Sequence, residues 1–291
     1  MSISVVIPAY NASRYIAETL ESVLKQTVAA DEILVVDDGS TDETASIAEQ
    51  FGLPVRVIRR QNSKLSATRN AGVQEAAGEW IAFIDADDLW ESSKLERQME
   101  ELMRYPGADL CYTGRRLLIQ NEESVRLGQV VKVPPASRIR ESLFQGTTFL
   151  PSSVVIRRST LMAVGGFDTK CIYVEDWDLW LRLLHWGAKF VDCQEPLVQY
   201  RIHSNSMTSN SMSILEGAED VYRRLVFPHL SGMTGWLAYN KFRSIHEAYA
   251  AKTLQAKGDP RALSMLARSI LHSPIGDTYR YKAFARLLYS R

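Results

Sequence analysis

The sequence has few of the features that hold a chain together covalently or place it in a membrane. It has only three cysteines in 291 residues, Cys111, Cys171 and Cys193, and no Cys-x-x-Cys pair, which argues against a disulfide framework and a structural zinc site. No apolar run approaches the roughly 20 residues that cross a bilayer. The first residues lack the basic region and cleavage site of a signal peptide. We therefore expect a cytoplasmic protein.

An excess of charge of one sign is also lacking, because 34 Lys+Arg balance 34 Asp+Glu. This balance gives no general attraction to a polyanion, and we expect no nucleic-acid partner. The charge is nevertheless uneven: residues 241–291 hold 10 basic and 3 acidic residues, and residues 1–240 hold 24 and 31. No Gly-x-Gly-x-x-Gly follows the first apolar run and no Walker-type loop occurs, which disfavours a dinucleotide-dependent oxidoreductase.

The pattern that is present is an alternation of short apolar runs with helical spacing, supported by 46% hydrophobic residues. Strands are predicted at 3–7, 33–36, 55–58 and 80–84, each followed by a helix. This order is typical of an α/β protein with a mostly parallel sheet, whose ligands bind beyond the carboxyl ends of the strands. The alternation weakens after about residue 109 and helices return after about Met212, so we place a boundary near Ser209.

Three carboxylates follow the fourth predicted strand directly, in the run Asp85-Ala86-Asp87-Asp88. Acids so close together raise one another's pKa values, and a bound divalent cation offsets that repulsion. Carboxylate oxygens suit Mg²⁺ or Mn²⁺. The alternative is a solvated acidic turn at the start of a helix.

A second acidic pair, Asp37-Asp38, ends the second predicted strand and should lie at the same sheet edge. A carboxylate there accepts hydrogen bonds from a base or from ribose hydroxyls, and Tyr10 after the first strand offers a ring for stacking. In the alternative interpretation, Asp38, Ser40 or Thr41 caps the following helix.

Three further features are each open to two interpretations. Arg69 either meets phosphate or sugar oxygens or is an exposed helical arginine. The pair Glu175-Asp176 either supplies a general base or complements a helix dipole, and the tryptophans that follow it are sugar platforms or core. His203 either ligates a metal or is structural.

Six motifs, taken together and in this order, resemble the inverting family-two glycosyltransferases of GT-A fold. The resemblance covers roughly residues 3–208. The motifs are Ser4–Asn11, Val35–Asp42, Ala67–Gly72, Phe83–Asp88, Glu175-Asp176 and Tyr200–His203.

The resemblance implies a Rossmann-like mixed sheet flanked by helices, with a C-terminal helical extension. It implies a GT-A catalytic domain at 1–209, with a nucleotide-sugar half at about 1–108 and an acceptor half at about 109–209, and an extension at 210–291. The residues implied to contact the nucleotide are Pro8, Ala9, Tyr10, Asn11, Asp38, Arg69, Asp85 and Ala86. Asp87, Asp85 and His203 are implied to bind Mn²⁺ or Mg²⁺, and Asp176 is implied to be the catalytic base, with Glu175 in support.

The implied reaction moves a hexose-type sugar from a nucleoside-diphosphate sugar, most commonly a UDP-sugar, to a hydroxyl of a saccharide or lipid-linked acceptor. Such acceptors belong to polysaccharide biosynthesis. Two alternatives remain, a phosphatase of the haloacid dehalogenase type and a nucleotide-sugar-binding protein without turnover. The basic tail, with Arg280, Lys282, Arg286 and Arg291 among apolar residues, predicts contact with an anionic membrane, packing on the catalytic body, or a homodimer interface.

Overall fold

The computed structural model of the protein describes residues 1–120, 124–203, 211–274 and 278–289. They form two compact units. The first consists of the described residues of Met1–Leu143, Thr147–Cys171 and 175–203, and the second of Phe144–Gly146, Ile172–Val174 and the described residues from 211 onward. The predicted boundary near Ser209 lies outside the described residues.

The first unit is built on one mixed sheet of nine described strands, in the spatial order β3-β2-β1-β4-β8-β6-β9-β5, with β7 paired to β6. The strands are β1 (Ile3–Ala9), β2 (Glu32–Asp37), β3 (Val55–Arg59), β4 (Trp80–Phe83), β5 (Leu89–Trp90), β6 (Leu110–Gln120), β7 (Val125–Val131), β8 (Val154–Arg157) and β9 (Phe190–Ile202).

Strand directions decide which residues meet at one edge. The four strands predicted from the first hundred residues run parallel to one another, with β1 between β2 and β4. β8 is antiparallel to both β4 and β6, and β9 is parallel to β6, so the carboxyl end of β9 points the same way as that of β4. The loops after β1, β2, β4 and β9 therefore lie on one side of the sheet, where α/β proteins bind ligands.

Helices cover the sheet. Those of the first unit are α1 (Ile16–Leu24), α2 (Thr44–Glu49), α3 (Leu65–Glu75), α4 (Lys94–Arg104), α5 (Ile139–Leu143), α6 (Arg158–Ala163) and α7 (Glu175–Trp186). Those of the second unit are α8 (Ser211–Val221), α9 (Gly232–Ala256), α10 (Arg261–His272) and α11 (Thr278–Tyr289).

The helix α3 packs unusually close to the sheet, which explains its weak apolar periodicity. A Cβ atom at Gly72 would overlap the side chain of Val6 on β1 and lie 3.1 Å from Val36 on β2. Small residues therefore form its buried face. This close approach brings Arg69, one turn earlier on the same helix, into the interior of the unit.

The second unit is helical, and its apolar core is formed by residues such as Leu215, Leu254 and Leu266. Arg280 is buried there and donates hydrogen bonds to the carbonyl oxygen of Ser269 (2.9 Å) and to the hydroxyl of Ser244. The interpretation that Arg280 faces a membrane is therefore wrong, because its guanidinium is buried and hydrogen-bonded inside the unit. Arg291 lies outside the described residues.

Candidate active site

The loop after β4 is held in place by its third carboxylate, that of Asp88. Asp88 is fully buried, and its Oδ2 accepts a hydrogen bond from Ser152 Oγ (2.6 Å) while its Oδ1 accepts one from the backbone N–H of Arg201 (3.0 Å). The same Ser152 hydroxyl accepts the backbone N–H of Asp85 at 3.0 Å. Asp88 therefore fastens the loop after β4 to the residues before β8 and to β9. The interpretation of a solvated acidic turn is wrong for this residue.

Asp87 meets the predicted histidine at the end of β9. Nε2 of His203 lies 3.0 Å from Oδ2 of Asp87, and the His203 ring lies 5.0 Å from that of Tyr15. Arg201 Nε donates to the carbonyl oxygen of Asp87 (2.6 Å), which fixes the backbone of the loop. Burial, and then the charge of Asp85, raise the pKa of Asp87.

The pair Asp87 and His203 fits a divalent cation completed by substrate. A carboxylate oxygen beside an imidazole nitrogen is a donor set that Mn²⁺ accepts. Within residues 1–120, 124–203, 211–274 and 278–289 no group of three or more His, Cys, Asp or Glu side chains is placed to hold a metal. Protein sites that supply so few ligands bind the ion through substrate phosphates and water.

Arg69 joins this loop to the start of α7. Its side chain is buried, with Nη2 2.6 Å from Asp85 Oδ1 and Nη1 2.8 Å from Glu175 Oε1. The interpretation of an exposed helical arginine is therefore wrong. One guanidinium group brings the loop after β4 and the predicted catalytic helix together, although they are about 90 residues apart in the chain.

Asp176, in the first turn of α7, is also buried. Its Oδ1 accepts the backbone N–H of Trp177 (2.6 Å) and its Oδ2 accepts the hydroxyl of Thr147 (3.2 Å). Each oxygen keeps one lone pair for a further proton. Burial, followed by the charge of Glu175, raises the pKa of Asp176 to about 7, which suits a general base near neutral pH.

The tryptophans of α7 belong to the core. Trp177 and Trp180 are almost fully buried, and their ring N–H groups donate to the carbonyl oxygens of Leu143 (2.6 Å) and Phe149 (3.3 Å). The sugar-platform interpretation is therefore wrong for both.

The elevated pKa of Asp176 predicts a pH dependence. Because a base must be unprotonated to act, we expect kcat/KM for sugar transfer to rise about tenfold per pH unit below about pH 7 and to level off above it. The measurement is a rate profile from pH 5 to 9, with nucleotide affinity measured at each pH to separate binding from chemistry. A profile that is flat between pH 5 and pH 7 would contradict the assignment of the base.

The predicted nucleotide residues lie in the loops after β1 and β2. The ring of Tyr10 is half-exposed and available for stacking, whereas Pro8 and Ala9 are buried and shape the site through their backbone. Asn11 joins the two loops, because its N–H donates to Ser40 Oγ (2.9 Å) and its Oδ1 accepts the N–H of Thr41 (2.8 Å).

Asp38 supports the loop that precedes α3. Its Oδ1 accepts the backbone N–H of Ser63 (2.8 Å) and its Oδ2 accepts that of Lys64 (2.9 Å). Asp38 does not cap α2, since the side chain that accepts the backbone N–H of Thr44 (3.0 Å) is Asp42. Ala86 is buried in the loop after β4, and its carbonyl oxygen accepts a hydrogen bond from the hydroxyl of Thr19 (2.9 Å).

Sequence reasoning missed three residues that support this site: Thr147, Ser152 and Arg201. Arg201 stands in a motif that was identified, but nothing in the motif assigned it a role. Thr147 and Ser152 lie in a segment without periodicity or motif, so no signal in the sequence could have found them.

Comparison with known proteins identifies the family of this chain. Residues 4–165 match the family described as glycosyl transferase family 2. The putative teichuronic acid biosynthesis glycosyltransferase TuaG of Bacillus subtilis is 32% identical over 238 residues, which cover 80% of this chain and 91% of TuaG. The amylovoran biosynthesis glycosyltransferase AmsB of Erwinia amylovora is 32% identical over 215 residues, 69% of this chain and 70% of AmsB.

Solved structures show the same fold. S. aureus TarS 1–349 in complex with UDP matches with a TM-score of 0.64 at 19% identity, over 94% of this chain and 81% of that one. The mannosyltransferase PcManGT from Pyrobaculum calidifontis, in complex with GDP-Man and Mn²⁺, matches with a TM-score of 0.65 at 16% identity, over 99% and 84%. At these identities the likeness establishes the architecture alone, a mixed α/β sheet flanked by helices of the GT-A type.

Proposed function

The chain belongs to glycosyltransferase family 2, and from this premise we propose that it transfers a sugar from a nucleoside-diphosphate sugar to a hydroxyl acceptor with inversion. We propose a UDP-sugar as the first donor to test, because structures of similar fold contain UDP, UDP-GlcNAc and GDP-Man. The names of TuaG and AmsB support a saccharide or lipid-linked acceptor in polysaccharide biosynthesis.

The observation that carries this proposal is the double ion pair of Arg69. One guanidinium group pairs with Asp85 in the loop after β4 and with Glu175 in the first turn of α7. A transferase needs its diphosphate-binding and proton-accepting groups to share one pocket, since both act on bonds to the same anomeric carbon.

On the donor side, Tyr10 stacks on the base in this proposal, and Asp38 accepts a hydrogen bond from base or ribose through the lone pair of Oδ2 that Ser63 and Lys64 leave free. Asp87 and His203 hold the divalent cation, with Asp85 close by. When bound, this cation stabilises the negative charge that grows on the departing diphosphate.

On the acceptor side, Asp176 accepts the proton of the attacking hydroxyl. The acceptor oxygen forms a bond to the anomeric carbon as the bond to the diphosphate oxygen breaks on the opposite face, so one displacement inverts the configuration. Thr147 and the N–H of Trp177 hold the Asp176 carboxylate in a fixed orientation, which lowers the cost of placing it against the acceptor.

Removing one metal ligand tests the metal assignment. We expect Asp87→Asn to weaken Mn²⁺-dependent UDP binding by at least about tenfold, because even the loss of an outer partner of a metal ligand costs 10–100-fold. The measurement is the thermal shift produced by UDP with and without Mn²⁺.

Asp220→Asn is the matched control, since that carboxylate is exposed on α8 and pairs with Arg224. It should leave the UDP shift unchanged. Equal shifts with and without Mn²⁺ in the unaltered protein would overturn the metal assignment.

The alternatives give different results in the same assays. A phosphatase of the haloacid dehalogenase type would hydrolyse a generic aryl phosphate, and the family assignment does not favour it. A nucleotide-sugar-binding protein without turnover would bind UDP but transfer no sugar to any acceptor. The cytoplasmic location and the homodimer stay predictions.

A further inference from the structure

The long helix α9 of the second unit carries a continuous apolar stripe on its exposed side. Met233, Leu237, Ile245 and Tyr249 are between 51 and 71% exposed, and they follow one another at intervals of four or eight residues. Lys241 fills the gap in this series. We call these five residues and Lys252, three positions further on, the α9 stripe.

The opposite side of α9 already has its packing partners. Ala250 and Leu254 are buried there, and both belong to the core of the unit. Single exposed apolar residues are normal, but a contiguous row along one helix marks an interaction surface.

Few acidic side chains stand on α9 or on the two helices that follow it. The only acidic residue in α9 is Glu247, which is fully buried and pairs with Arg243, Arg268 and His272. Neither α10 nor α11 contains an acidic residue, and Asp259 between α9 and α10 pairs with Arg261.

The ammonium groups of the two stripe lysines are accessible to an external anion. Lys241 and Lys252 are exposed and form no ion pair within the described residues. The α9 stripe itself therefore combines apolar side chains with positive charge and contains no acidic residue.

We infer that the α9 stripe rests on an anionic phospholipid bilayer, with its apolar side chains in the headgroup boundary and its lysines on the lipid phosphates. Aliphatic and aromatic residues interleaved with lysine are the composition of helices that lie in a membrane interface. No helix in the described part of the chain is long and apolar enough to cross a bilayer, so the inferred contact is with its surface.

A second copy of the chain fits this surface less well. In a two-fold symmetric contact the same patch meets itself, so the lysines of one copy would approach those of the other without a carboxylate between them. Lipid phosphates would instead neutralise them. The inference goes beyond the proposed function and does not depend on it.

Co-sedimentation of the full chain with vesicles tests the inference. We expect binding to vesicles that contain phosphatidylglycerol, weaker binding at high salt, and little binding to phosphatidylcholine alone. Leu237→Ser combined with Ile245→Ser should reduce the partition coefficient at least about tenfold, since two apolar side chains no longer leave water. Lys241→Glu combined with Lys252→Glu should also reduce it about tenfold or more.

Leu271→Ser is the matched control, because Leu271 is 80% exposed on α10 and outside the stripe. It should bind vesicles like the unaltered protein, and the thermal shift produced by UDP should be the same in every variant, which separates this test from that of the proposed function. The inference is overturned if the unaltered protein ignores anionic vesicles or if Leu271→Ser loses as much binding as the stripe variants. It is also overturned if the stripe substitutions instead abolish a dimer in sedimentation equilibrium without lipid.

Discussion

Asp176→Asn should lower the rate of sugar transfer by about 10²–10⁴-fold, the usual contribution of a general base, while leaving the affinity for UDP and Mn²⁺ within about twofold. The amide keeps the size of the carboxylate and one oxygen acceptor, but it cannot take the proton of the acceptor hydroxyl. The measurement is single-turnover transfer, with nucleotide affinity by calorimetry.

The same substitution should change the pH dependence of stability in a defined direction. The pKa of Asp176 is about 7 in the folded protein against an ordinary value of 3.8, so the folded state holds this proton at pH values where the unfolded state has lost it. The stability that this group contributes is fully present below about pH 4 and is lost progressively as the pH rises to about 7. Asp176→Asn should remove that loss, and thermal unfolding at pH 4 and pH 8 measures it.

Glu175→Gln is the matched comparison, because it neutralises the adjacent carboxylate and leaves the proposed base intact. It should reduce transfer less than Asp176→Asn does. If Asp176→Asn keeps transfer within tenfold, or if it loses UDP binding, Asp176 is not the base.

Arg69→Met should have the largest effect on stability among the substitutions considered. It leaves Glu175, whose side chain is 10% exposed, and the partly exposed Asp85 without their shared cation. Removing one partner of a buried ion pair typically costs 3–5 kcal/mol, and the partial exposure of Asp85 lowers the expectation to about 3 kcal/mol. Urea unfolding measures the free energy.

Two comparisons distinguish a bridging role from simple packing. Arg69→Lys keeps the charge but lacks the planar fork that reaches two carboxylates, so it should recover part of the stability and little of the transfer rate. Arg59→Met breaks an exposed pair with Glu49 and should leave the free energy of unfolding nearly unchanged. If Arg69→Met unfolds like the unaltered protein, or if Arg69→Lys restores full kcat, the bridge is not what assembles the site.

Local patterns in the chain were sufficient for much of the fold. The four parallel strands were predicted within a few residues, and a helix was expected after each, because burial on both faces gives a strand a continuous apolar run. The meeting of the acidic loops after β2 and β4 was also predicted, since acids that directly follow parallel strands lie at one edge of the sheet.

For other residues, packing rather than the local pattern decided which interpretation holds. Arg69 has an ordinary helical context, and only the close approach of Gly72 to β1 shows that its side chain enters the interior. Asp88 stands beside Asp87 with the same chemistry, yet its burial against Ser152 makes it an anchor. Arg280 lies in a segment whose composition is typical of a membrane contact, but its guanidinium is buried in the second unit and donates to the carbonyl oxygen of Ser269.

The sequence by itself determined the class of fold, the family and the pair of acidic loops at a sheet edge, because these depend on residue type and on spacing over a few residues. Only the tertiary structure decided that Arg69 joins Asp85 to Glu175 and that Thr147 holds Asp176. Those contacts connect residues about 15 to 110 positions apart in the chain. Their partners are set by how helices pack on the sheet, and no local periodicity records that packing.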